Sequence, residues 1–189
     1  MKKIFILLCL FILSILPTLG FSQKKLDQFL HTMVFQRQYG QGLDSTIIVI
    51  DSGQHGEDVK TIIKTYAPLS NVVYFNQPNL QKRGRIMELV PQLKDLGLDV
   101  DIVNNSNVYE CNSWLYNTVK SIIDKDIIFV TGSGNDSTKE FCPAKYELNN
   151  LVSVGGYDVE GCEVAGYTAM PYSILAPVCF DVNNHISCG

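Results

Sequence analysis

From residue 45 onward, short apolar runs alternate with segments whose apolar positions recur every three or four residues. The run at 45–50 (STIIVI), rich in β-branched residues, predicts a buried strand. Residues 57–66 carry Val59, Ile62, Ile63 and Tyr66 at helical spacing. A second strand is expected at 71–75 (NVVYF). A helix follows at 85–96, with Ile86, Leu89, Val90 and Leu93 on one face and Pro91 as the point where it would kink. Residues 98–103 (LDVDIV) predict a third strand, and 113–124, with Leu115, Val119, Ile122 and Ile123, a third helix. A fourth strand is expected at 126–130 (DIIFV), and two more at 151–154 and 172–175. Strands alternating with helices predict an α/β fold, a doubly wound and mostly parallel sheet. Ahead of it, residues 23–44 form a polar lead-in where Leu26, Phe29, Leu30 and Met33 predict a short helix. No repeat, low-complexity tract or second domain interrupts residues 45–189.

The amino terminus has a different pattern. Lys2 and Lys3 precede an apolar run from Ile4 to Leu16, ended by Pro17 and followed by small Gly20 and Ser22. This is the layout of a cleaved secretory signal spanning 1–22, and the run is short for a membrane span. The expectation is export to the extracellular space or periplasm, with no membrane attachment after cleavage. The chain has a formal charge of -4, and loss of the two leader lysines makes the remainder more acidic still. An acidic chain without a basic stripe gives no support to nucleic-acid binding. Five cysteines remain after the leader: Cys111, Cys142, Cys162, Cys179 and Cys188. Export permits disulfides, and the odd number leaves at least one thiol without an internal partner. No close Cys-x-x-Cys pair exists and the three histidines are scattered, so a metal centre is not expected.

Active residues of doubly wound sheets gather at the carboxyl ends of strands. Polar residues stand at three such ends: Asp51-Ser52-Gly53, Asn104-Asn105-Ser106, and the stretch from Thr131 to Asp136. Asp51 closes the first strand, and His55 opens the helix that follows. Four residues of chain span at most ~13 Å, so the two side chains can meet. A rigid, desolvated carboxylate that orients an imidazole is half of a nucleophile-activating relay.

The IVIDSG and HGEDVKTII stretches resemble the Asp and His motifs of the subtilisin-like serine proteases. In the same order, APLSNVVYF, LGLDVDIVNNS, IIFVTGSGNDS, CPAKYELNNLVSVGGYD and LAP are similar to later segments of that family. The resemblance covers about residues 45–180. It implies a three-layer peptidase domain over 45–189, peptide or protein substrates, and hydrolysis by an Asp–His–Ser mechanism. Asp51 falls at the family's triad aspartate, His55 at its general base, and Asn135 at the amide of its oxyanion hole. Some members hold calcium, but no site for it is matched here, and no cofactor is implied.

The chain departs from the family in several places: Lys60-Thr61 are bulkier than the small residue expected in the His helix, Val178 stands where APG has its glycine, and two departures touch the catalytic residues. Only Ser52, Gly53 and Gln54 separate the Asp and His residues, where the family inserts a longer loop. The nucleophile motif GTSMAxP, which starts a long buried helix, is not reached before Gly189. Ser187 is the one serine near that place, and no helix follows it. The resemblance therefore implies a domain that is incomplete at its carboxyl end and lacks its nucleophile. A non-catalytic, peptide-binding relative is the alternative. An α/β-hydrolase triad of Ser133, Asp181 and His185 has the right order but lacks the G-x-S-x-G elbow.

Overall fold

A computed structural model describes residues 40–158, 163–177, 179–182 and 185–188. The leader at 1–22 and the helix expected in the lead-in lie outside the described residues. The compact unit considered below begins at Gly42.

Its elements are β1 (Thr46–Asp51), α1 (Gly53–Tyr66), β2 (Asn71–Asn76), α2 (Leu80–Asp95), β3 (Ile102–Asn105), α3 (Ser113–Ile123), β4 (Ile128–Gly132), β5 (Leu151–Asp158), β6 (Glu163–Val164), β7 (Ile174–Pro177), β8 (Cys179–Val182) and β9 (His185–Cys188). Strands β2, β1, β3, β4, β5 and β7 pair in that order, every neighbour parallel. The two-residue β6 adds antiparallel to the end of β5, and β8 and β9 form a separate hairpin. The winding reverses between β1 and β3, the switch point at which such sheets open a crevice. The expected doubly wound, mostly parallel α/β sheet is the observed one.

Several elements differ in extent from the pattern-based expectation, each for a local reason. Helix α1 begins at Gly53 rather than 57, so His55 lies in its first turn. Helix α2 begins at Leu80 rather than 85, because the Asn79 side chain caps it by accepting from the Lys82 N–H at 3.1 Å. That additional turn, polar by sequence, carries Arg83. The helix continues through Pro91 as one element. Strand β3 starts at Ile102, because Leu98 is used to close α2, its N–H returning to the Leu93 carbonyl at 3.0 Å. Strand β4 starts at Ile128, after a turn in which Asp126 has a positive φ of 58°.

The two faces of the sheet are covered unequally. Ile48 and Ile50 of β1, Val103 of β3 and Phe129 of β4 are fully buried beneath Met87 and Val90 of α2 and Leu115, Val119 and Ile122 of α3. This face is the dry core. The opposite face carries Ile47, Val49 and Asp51 of β1, with α1 alongside. There Val59, Ile62 and Ile63 of α1 stay half-buried, as do Val130 and Val154 of the sheet.

A disulfide joins Cys111 to Cys142, Cα to Cα 5.1 Å, across 31 residues of sequence. It ties the segment after β3 to the segment after β4, and Tyr109 N–H donates to the Cys142 carbonyl beside it at 2.8 Å. Closing a loop of this length removes about 3–4 kcal/mol worth of unfolded-state freedom. Replacing both cysteines with serine is expected to lower unfolding stability by about that amount, measured by equilibrium denaturation. Truncating the fully buried Phe129 to alanine is expected to cost ~3–5 kcal/mol in the same measurement.

Candidate active site

Asp51 ends the central strand with only 4% of its surface exposed. Its two carboxylate oxygens have different partners. One accepts from the Ser52 N–H at 2.8 Å, and the other meets His55 Nδ1 at 2.7 Å. The histidine is four residues on, in the first turn of α1, so the short link that departs from the family's longer loop still lets the side chains touch. The His55 ring is 48% exposed and faces a groove of about 600 Å³. Nε2 bonds to no described residue, leaving it to the groove.

The start of α1 is built to hold this geometry. Ser52, the residue at the helix cap position, does not cap it, because its hydroxyl accepts instead from Arg83 Nη2 at 2.7 Å. The Gly53 N–H is satisfied by Asn76 at the end of β2, at 3.1 Å. Gly56 sits under Tyr74, where a Cβ would lie 2.3 Å from the phenolic oxygen. The close approach of β2 to α1 therefore requires glycine beside His55.

The hydrogen bond that His55 Nδ1 donates to Asp51 raises the His55 pKa above its ordinary 6.5. Partial burial of the ring opposes this, the charges of Asp51 and Asp58 add to it, and Arg83 subtracts from it.

Asn135 lies on the loop after β4, exposed, and lines the same groove as His55. The loop turns at Gly134, whose φ is 108° and where a Cβ would meet Phe141 at 2.3 Å. Phe141 immediately precedes the disulfide-bonded Cys142, so the bridge and the aromatic ring together fix the loop that presents the amide. Ser106 and Ser133 also line the groove, yet no described serine bonds to His55. The side chains of Asp181, His185 and Ser187 lie outside the described set.

Three residues join the Asp51–His55 pair that no sequence pattern singled out. Arg83 is buried, 5% exposed, and its Nη1 comes within 3.9 Å of Asp51. It also donates to the Gln77 carbonyl and to Asn107. Asn107 in turn donates to buried Asn105 at 2.8 Å. Asn76 is the third. The available signals were weak: an arginine in a polar first turn of a helix, and a run of asparagines at a strand end.

No protein-family model matches the chain, and no curated protein sequence matches it. Solved structures do. The prenylagaramide maturation protease PagA superposes with a TM-score of 0.62 at 18% identity, covering 83% of this chain and 72% of PagA. A cold-adapted subtilisin-like serine proteinase superposes at 0.60 and 17% identity, covering 72% of this chain and 64% of that one. The fold is that of the subtilisin-like serine proteases. The PatG macrocyclase, solved in complex with a peptide, shares it at a TM-score of 0.56 and 14% identity, over 80% of this chain and 70% of PatG. This chain thus spans less than two thirds of the cold-adapted subtilisin-like proteinase.

The His55 resonances are expected to titrate with a midpoint above 6.5, and Asp51→Asn is expected to lower that midpoint, both read by NMR. The sign follows from the raised folded value. The ionic pair stabilises the fold below pH ~6.5, and this contribution fades as the pH rises through the folded pKa. Gly134→Ala is expected to destabilise the protein by ~1–3 kcal/mol and to shift the Asn135 side-chain amide signals, because Phe141 has to move.

Proposed function

We propose that this protein is an exported serine-type endopeptidase domain acting on peptide bonds, with Asp51 and His55 handling the proton and Asn135 binding the oxyanion. The observation that carries the reading is the 2.7 Å contact between Asp51 and His55 Nδ1, with the rest of the ring turned to an open groove. In this reading Nε2 accepts the proton of an attacking serine hydroxyl and later returns it to the leaving amine. The Asp51 carboxylate stabilises the imidazolium between those steps. The Asn135 amide donates to the tetrahedral oxygen as its charge develops.

The hydroxyl is expected from a serine at the amino end of a helix seated in the groove. Parallel sheets are ordinarily covered on both faces, yet here α2 and α3 both cover the same one. Val130, Gly132, Val154 and Gly156 floor the groove that such a helix would fill. Export is supported by the leader pattern of residues 1–22 and by the Cys111–Cys142 bridge, which needs an oxidising compartment.

A second reading is a peptide-binding domain without hydrolysis. It is favoured by the lack, among the described residues, of a serine bonded to His55. A fluorophosphonate probe separates the two. Labelling of a serine in the native protein, abolished in His55→Ala, supports the protease; peptide binding without labelling supports the alternative. In an active protein, Asn135→Ala is expected to lower kcat by about 10²–10³. Amino-terminal sequencing of exported protein is expected to start at Phe21 or Gln23.

A further inference from the structure

We propose that Arg83 is a positioning residue of this site, whose buried guanidinium fixes the Asp51–Ser52 strand end and offsets the carboxylate's charge at His55. This deepens the protease reading and rests on it for its catalytic meaning.

The placement is specific. Arg83 reaches the strand end from α2, on the far side of the sheet from α1, and is 5% exposed. Each nitrogen of the fork has an assigned neighbour. Nε donates to the Gln77 carbonyl, Nη2 to Ser52 Oγ at 2.7 Å, and Nη1 to Asn107, with Asp51 3.9 Å away. Gln77 is itself tied to the strand end, its N–H donating to the Asp51 carbonyl at 2.7 Å. Lysine could not hold these three directions at once, because an ammonium is a single point on a flexible stem.

A buried carboxylate is costly unless a charge or several donors answer it. Asp51 has one backbone donor, the imidazole and the guanidinium. Arg83 places a positive charge 3.9 Å from it when the imidazole is neutral, the state in which a general base must wait. When the imidazole takes a proton, the same guanidinium repels it. An unopposed carboxylate would hold His55 protonated to higher pH, so Arg83 widens the range in which the ring can accept a proton. Among the described residues, the other titratable groups around His55 are Asp58 on its own helix, Tyr74 on β2 and Asp136 across the groove. None of these is a cation.

The test is an NMR titration of His55, which needs no catalysis and so stands apart from failure of the protease reading. Arg83→Gln is expected to move the His55 midpoint upward by about 0.5 pH unit or more, the scale of one screened neighbouring charge. An unchanged or lower midpoint in a folded variant overturns the proposal. Arg83→Gln leaves Asp51 buried and less well paired, so it can fail to fold. The charge-balanced pair Asp51→Asn and Asp51→Asn/Arg83→Gln covers that case. The double variant is expected to titrate above the single one, and equal midpoints overturn the proposal. A merely structural arginine would change the melting temperature in these variants and leave the His55 midpoint where it was.

Discussion

The site depends on one costly arrangement, a carboxylate held at the end of a strand whose every residue is buried. An ionised group there is stable only if its oxygens are answered. The Ser52 N–H answers one and His55 the other, with the Arg83 charge behind them. These demands fix the local chain. The helix must start at once to bring the imidazole back over four residues. Its cap serine must serve Arg83, and the cap bond must come from Asn76 on the next strand. Gly56 must stay small so that Tyr74 can close over the turn.

The same sheet that buries Asp51 leaves a groove beside it. On one face, two helices seal the apolar core, and the buried polar groups Arg83 and Asn105 sit near the carboxyl ends of its strands. On the other, α1 leaves part of the sheet open, and small residues at Gly132 and Gly156 keep the groove's floor low. The groove brings His55 and Asn135 to one cavity from elements eighty residues apart in sequence. The Cys111–Cys142 bridge and Phe141 brace the second of these. The sheet is thus packed tightly on one face and open beside His55 on the other.

Most of the architecture was legible in the order of apolar positions. Residues at 45–50, 71–75 and 126–130 announce strands by composition, and the helical spacing of Leu115, Val119 and Ile122 points to the core face that α3 in fact buries. This explains how chains sharing 18% identity or less superpose: the alternation, not the particular residues, sets the layers. Element ends were less legible, because capping decides them. Asn79 extends α2 through a polar turn, and Leu98 serves the helix before it rather than the strand after it.

Asp51 and His55 could be paired from sequence because they are four residues apart, within reach of each other in almost any strand-to-helix turn. By itself, then, the sequence determined the winding of the sheet, the carboxylate at its first strand end and the imidazole one turn away. The tertiary structure alone decided what answers that carboxylate from behind. Ser52 and Arg83 are separated by 31 residues, and Arg83 and Asn107 by 24. Such partners leave no periodic trace, because burying an ion is governed by which charges the completed fold brings within a few ångströms and not by spacing along the chain.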